Sequence, residues 1–281
     1  MIFDTHCHLN MIRDLSGSTY ATKDATDGEI EKQIQRAKQN NILYIMQAGT
    51  FINEIDREID ICTKFNDKDI KIFCSIANHP ENIRTTGVVK AEQLIKIVQE
   101  KSLHNNYIKA IGETGLDTHR EENLLFLNDQ IESFENHIQA GIELNLPVII
   151  HAYGIEAIER CIDMVINIVK NTPFKFVFHC YDGTYEQAKK IIDFGGIISF
   201  SGTITFKKKT IAREILLKIP LEHIVIETDA PFLAPEPKRG QINETSYIKY
   251  TAEYISNYLQ IDYNKFCQQI TENGLKLFNI F

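Results

Sequence analysis

Six residues in this chain have side chains that bind divalent cations and stand at places where a fold could gather them. Asp4-Thr5-His6-Cys7-His8 sets two imidazoles one residue apart. In an extended segment side chains alternate, so His6 and His8 share one side while Cys7 turns to the other. Ile111-Gly112-Glu113-Thr114-Gly115-Leu116-Asp117 holds a carboxylate between glycines, where backbone can approach closely, and Glu113 can bridge two cations. His151 and His179 each follow directly on apolar or β-forming residues, and Glu227-Thr228-Asp229-Ala230-Pro231 adds a second carboxylate, Asp229. Singly, each has a plainer account: packed histidines for His6 and His8, satisfied core groups for His151 and His179, a turn residue before proline for Asp229.

The elements that must position these residues make the plainer accounts inadequate. Short β-branched runs recur at Ile2 to Asp4, Leu43 to Gln47, Lys71 to Ile76, Ile108 to Ile111, Pro147 to Ile150, Lys175 to Phe178, Ile197 to Phe200 and His223 to Ile226. Between them lie segments with apolar residues at helical spacing, such as Ile30, Ile34 and Ala37, or Leu94, Ile97 and Val98. Alternating strands and helices specify βα units and a parallel sheet, and eight of them specify an α/β (β/α)₈ TIM barrel. A doubly wound open sheet is the alternative, but no glycine-rich phosphate loop follows the first run. Two further helical stretches, around Tyr247 to Leu259 and Tyr263 to Phe278, complete a single domain over residues 1–281. The six ligand residues fall at the carboxyl ends of the first, fourth, fifth, sixth and eighth strands, the end at which barrel enzymes carry their active sites. Unrelated bystanders would not keep choosing that end. Sharing Glu113, one metal takes His6, His8 and Asp229, and a second takes His151 and His179, with positions left open for water and substrate.

Length and composition set outer bounds. With 281 residues and 43% hydrophobic content the chain can bury one large core. Its apolar runs are far shorter than the roughly 20 residues needed to cross a bilayer. The opening Met1-Ile2-Phe3-Asp4 has neither the basic nor the apolar segment of a signal peptide, so a cytoplasmic address is expected. The cysteines, Cys7, Cys62, Cys74, Cys161, Cys180 and Cys267, lack the close pairing of zinc ribbons or small disulfide frameworks and read as reduced, mostly buried thiols. A formal charge of −8 speaks against broad electrostatic attraction to nucleic acid, so an anionic substrate must be held by local cations.

At these residues the chain resembles the TatD family of metal-dependent deoxyribonucleases, within the amidohydrolase-like superfamily of metal barrels. The resemblance spans nearly the whole chain. It rests on Phe3-Asp4-Thr5-His6-Cys7-His8-Leu9, His79-Pro80, Gly112 to Asp117, His179-Cys180, Ser199-Phe200-Ser201-Gly202, Glu227 to Leu233 and Arg239-Gly240. It implies metal ligands at His6, His8, Glu113, His151, His179 and Asp229, two divalent ions (magnesium, manganese or zinc), and exonucleolytic hydrolysis of single-stranded or damaged DNA. The chain departs from the family at substrate-facing places. Asn78 stands for a usual glycine, Glu81 for a second histidine, Thr118, His119 and Arg120 for a usual Tyr-Arg, and Tyr153 for an arginine after the fifth-strand histidine. Near the last loop the chain reads Pro237-Lys238-Arg239-Gly240 and Ile242-Asn243-Glu244-Thr245, where the family favours Pro-His-Arg-Gly and Arg-Asn-Glu-Pro.

The chemistry expected of such a site is attack by a hydroxide made from a bridging water, whose pKa two cations lower from 15.7 to about 7. Asp229 and Glu113 serve in catalysis, Asp229 also as proton acceptor, and His79 contacts phosphate or protonates the leaving group. Lys207 and Lys208, with Lys209, follow the seventh strand, and Lys238 and Arg239 stand in the last loop, so all can meet a DNA backbone. No aromatic stacking platform can be identified from the sequence, although Tyr20, Tyr153 and Phe206 stand on loops of that face and Tyr153 is a candidate substrate contact. DNA, as single strands or ends, is thus the expected partner, with no stable protein partner and no membrane. The rivals are an amide or ester hydrolase using the same metals against a carbonyl, and a noncatalytic nucleic-acid-binding barrel.

Overall fold

The eight β-forming runs are the strands of one sheet. The computed structural model describes residues 1–13 and 21–280, so Tyr20 lies outside the described residues. Its strands are β1 (Ile2–Cys7), β2 (Ile42–Gln47), β3 (Lys71–Ile76), β4 (Ile108–Asp117), β5 (Val148–Tyr153), β6 (Phe176–Phe178), β7 (Ile197–Phe200) and β8 (Ile224–Ile226). They pair in chain order and every pairing is parallel. Helices such as Asp27–Gln39, Ala91–Ser102 and Leu127–Leu144 connect them and lie outside the sheet, which curls into a nearly closed (β/α)₈ barrel.

The sheet's first and last strands meet at a seam joined by individual bonds. Thr5 Oγ1 donates to the Ile226 carbonyl at 2.9 Å, and the His8 amide donates to the Ala230 carbonyl at 2.8 Å. Pro147, Lys175 and His223, read as strand starts, lie just outside the ladders. The largest departure is β4, which runs on through Glu113 to Asp117. Gly112 and Gly115 adopt φ of +145° and +144°, and a Cβ on Gly115 would lie 2.0 Å from the His151 carbonyl oxygen. Only glycine lets β4 stay that close to β5, so the strand carries Glu113 and Asp117 on rigid backbone.

Two apolar layers hold this frame. Phe3, Met46, Ala110, Ile149, Val177 and Val225 fill the barrel interior together with Leu277 and Phe278 from the chain's last turn. Phe3 lies 5.6 Å from the Tyr44 ring and 5.7 Å from Phe278. The larger layer lies between sheet and helices and includes Cys7, Ile30, Ile34, Leu94 and Val98. Cys7 is therefore turned away from His6 and His8, as alternation along β1 requires. All six cysteines are free thiols. A short antiparallel hairpin, Met11–Arg13 with Thr22–Asp24, was not apparent in the sequence; its Met11 and Thr22 border the cavity described next. Among the described residues no helix is long and apolar enough to cross a membrane.

Candidate metal centre

Glu113 stands at the middle of a ring of imidazoles, and its two carboxylate oxygens face different partners. Oε1 lies 3.6 Å from His6 Nε2 and 3.4 Å from His8 Nε2. Asp229 Oδ1 closes that group, at 3.7 Å from His6 and 3.5 Å from His8. Oε2 lies 2.9 Å from His179 Nε2 and 3.3 Å from His151 Nδ1, and those two nitrogens are 3.1 Å apart. Donors bonded to one tetrahedral cation at about 2.1 Å lie roughly 3.4 Å from each other, so the first group has the spacing of a coordination shell and the second is slightly tighter. Both ring nitrogens of His6 are buried without a hydrogen-bond partner. Buried polar atoms are nearly always satisfied, and a cation would satisfy these. Mixed imidazole and carboxylate donors suit zinc, manganese and iron more than magnesium.

The surrounding residues aim the ligands. His8 Nδ1 contacts the Ala48 carbonyl at 3.1 Å, which turns Nε2 toward Glu113 and Asp229. His151 Nε2 lies 3.2 Å from Asp117 Oδ2. Glu227 is fully buried, accepts from the Cys180 amide at 2.7 Å and from Ser199 Oγ at 2.6 Å, and lies 3.4 Å from His179 Nδ1. Asp117 and Glu227 are thus the carboxylates that orient His151 and His179, a pattern that fixes ring orientation and raises ligand basicity. Neither role is assigned by the sequence. Both residues stand two or four positions from a ligand in the quoted motifs, and that spacing was the available signal.

Electrostatics at the site follow from one crowd of opposite charges. Burial drives Glu113 upward, but the neighbouring imidazoles of His179, His6 and His79 outweigh it and hold the carboxyl well below its ordinary value. Asp229 is likewise held down against burial by the hydrogen bond from His8 and by the nearby histidines. Burial lowers His151, yet Asp117 and Glu113 overcome it and raise it to about 9. His79 goes the other way: burial and the neighbouring His151 lower it to about 3.

His79 joins the second group from the end of β3, with Nε2 3.8 Å from Glu113 Oε2. The Glu81 amide donates to its Nδ1 at 3.2 Å, which leaves Nε2 as the protonated nitrogen of the neutral ring. A cavity of about 390 Å³ opens above the ligands, bordered by His8, His79, Glu113, His151, His179 and Asp229. Tyr153 is on its rim, and Lys209 lines it while paired with Asp182 at 2.5 Å. Lys207 and Lys208 are exposed and Arg239 lies over the Phe206 ring at 4.3 Å; none of the three borders the cavity.

A parallel eight-stranded barrel with imidazoles and carboxylates converging at the carboxyl ends of its strands defines the class of metal-dependent barrel hydrolases. Residues 3–279 match the model of the family described as TatD related DNase, and the chain belongs to that family. The chain is 32% identical over its whole length to the whole of the uncharacterized metal-dependent hydrolase YabD of Bacillus subtilis. It is 30% identical to the uncharacterized metal-dependent hydrolase YcfH of Escherichia coli, over 99% of this chain and 96% of that one. Among solved structures, the TatD homologue YJJV of Escherichia coli superposes with a TM-score of 0.83 at 22% identity, over 100% of this chain and 98% of that one. The phosphotriesterase homology protein of Escherichia coli, solved with phosphate in its active site, superposes at 0.69 and 13% identity, over 99% and 98%.

Proposed function

We propose that this protein hydrolyses phosphodiester bonds of DNA, in single strands or at ends, at a two-metal centre held by His6, His8 and Asp229 on one side, His151 and His179 on the other, and Glu113 between. The observation that carries the reading is the division of labour at Glu113, one oxygen toward each set of donors. When bound there, two divalent ions would turn a water into a nucleophile at neutral pH and offset charge on phosphoryl oxygens.

The chain's own groups supply the rest. Asp229, ionised at neutral pH and at the cavity wall, accepts the proton that the attacking water loses. His79 presents its Nε2–H to the cavity and donates to a phosphoryl oxygen or to the departing oxygen. Asp117 and Glu227 keep His151 and His179 turned inward. A barrel of the same fold that holds phosphate in its active site supports an oxyanion substrate, and the family's description supports DNA.

The test is hydrolysis of end-labelled single-stranded DNA after chelation, with magnesium, manganese or zinc restored separately. Metal-dependent release of nucleotides or shortened strands is expected. Cleavage of amides or esters with intact DNA left over would instead establish the acyl hydrolase, and binding of DNA without turnover under any metal would establish the noncatalytic barrel.

A further inference from the structure

We infer that Tyr153 and His119 form an aromatic plate that stacks the nucleobase next to the scissile phosphate, an inference that rests on the phosphodiesterase reading. The two rings lie parallel within 24°, with centroids 4.3 Å apart, and both border the cavity. Tyr153 keeps 42% of its surface exposed and His119 is exposed as well. A partly exposed aromatic pair at the border of the cavity lies where a base can stack on it, because every base offers a π-face.

The plate is fixed to the metal centre through one carboxylate. Asp117 Oδ2 meets His151 Nε2 at 3.2 Å, while Oδ1 accepts from the His119 amide at 2.9 Å and from Asn123 Nδ2 at 2.9 Å. On the other side the Thr118 amide donates to the Tyr153 carbonyl at 3.0 Å, so both ring-bearing segments are tied together. Tyr153 stands two residues beyond His151 on β5, on the same side of the strand and roughly 7 Å further up it. That offset is about the reach from a nucleotide's phosphate to its base, so a phosphate over the ligands leaves its base at the plate's height. The cation beside the plate is already engaged: Arg120 Nη1 lies 3.3 Å from Glu81 Oε1. Recognition at this point is therefore by stacking, and it is indifferent to base identity, because ring stacking carries no hydrogen-bond code.

The chain has no tryptophan, so Tyr153→Trp provides a single reporter at the plate. In chelator, a deoxytrinucleotide should quench that emission, and the same trinucleotide with tetrahydrofuran residues in place of its bases should not. In turnover with metal restored, the wild-type enzyme should favour a normal strand over one abasic at the scissile position. Tyr153→Ala should shrink that KM preference by about 5- to 150-fold, the equivalent of about 1–3 kcal/mol per stacked base, and Tyr153→Phe should restore it. Equal quenching by both trinucleotides, or an Ala variant that loses normal and abasic strands alike, overturns the plate. A wild-type enzyme that cleaves neither strand with any metal overturns the phosphodiesterase reading itself, and the plate with it.

Discussion

The backbone amide of Asp229 donates to the carbonyl of His6 at 2.9 Å, across the seam where the last strand meets the first. One residue before Asp229 the tie is doubled: the Thr228 amide and hydroxyl both donate to the buried carboxylate of Asp4, at 2.9 and 2.7 Å. Asp229 itself takes φ of +56°, a left-handed conformation that aspartate tolerates better than most residues. Candidate ligands on opposite edges of the sheet thus come together only when the barrel closes, and the residues that close it are neighbours of His6 and Asp229.

Breaking the Asp4 tie should therefore weaken fold and metal binding together. Asp4→Ala leaves the amide and hydroxyl of Thr228 buried without an acceptor, at a cost of roughly 2–4 kcal/mol of stability. Urea denaturation and a metal titration on the same variant check this. Lost stability with wild-type metal affinity would separate the seam from the site.

Removing the shared carboxylate acts on the site alone. The Glu113 carboxylate lies among the other candidate ligands, so Glu113→Gln, which keeps its size, should leave the barrel folded, lower bound metal and abolish turnover. In the parent protein, metal at 100 times its dissociation constant should stabilise by about 2.7 kcal/mol, raising Tm by roughly 5 °C, and the variant should lose most of that rise. Bound metal by elemental analysis and Tm with and without chelator are the measurements. Full activity in Glu113→Gln would falsify the shared-ligand arrangement.

Most of this frame is legible in the sequence, for a physical reason. A strand buried on both faces in a parallel sheet must be apolar along its length, so the runs ending at Ile76, Ile150 and Phe200 stand out, and the polar residues beyond them mark the active end. Periodicity does not reveal how far β4 continues, because Gly112 and Gly115 look like a turn. They serve instead to let β4 approach β5. The six candidate ligands could be collected because each interrupts an apolar run. Asp117 and Glu227 escaped because an orienting carboxylate is defined by what it touches in space, and the His119–Tyr153 stack joins residues 34 positions apart that only the Asp117↔Tyr153 strand register brings together. The lysine run shows the limit most clearly: three adjacent cations look equivalent in sequence, and only Lys209 reaches the cavity.

Metal uptake should displace protons. In the metal-free site Asp117 and Glu113 outweigh burial and raise His151 from 6.5 to about 9, so at pH 7 its ring carries a proton that a cation must expel. Apparent metal affinity should rise as pH climbs toward 9. The same shift sets a stability window. Because the folded value exceeds the unfolded one, the His151 contribution to the metal-free barrel is complete below pH 6.5 and disappears as pH rises through 9. Glu58, raised to about 8 by its burial, pushes stability the same way between its ordinary value and pH 8. Calorimetric titration of zinc in buffers of different ionisation enthalpy reads the released protons directly. A binding heat independent of buffer at pH 7 rejects the proposed charge state.

The last prediction separates the lysines. Lys209 borders the cavity and is held there by Asp182, whereas Lys207 and Lys208 are exposed and outside it. A phosphate contact releases counterions, so each contact made by a single strand contributes a slope of about −0.7 to the double-logarithmic dependence of affinity on salt. Lys209→Gln should flatten that slope by about one such unit, and the loss should be alike for all sequences because backbone contacts carry no base information. The double replacement Lys207→Gln with Lys208→Gln should leave the slope where it was. Fluorescence anisotropy of a labelled single strand from low to moderate salt gives both numbers. If the double replacement flattens the slope and Lys209→Gln does not, the strand crosses the outer face of that loop rather than entering beside Asp182, and the path of the substrate over the barrel must be redrawn.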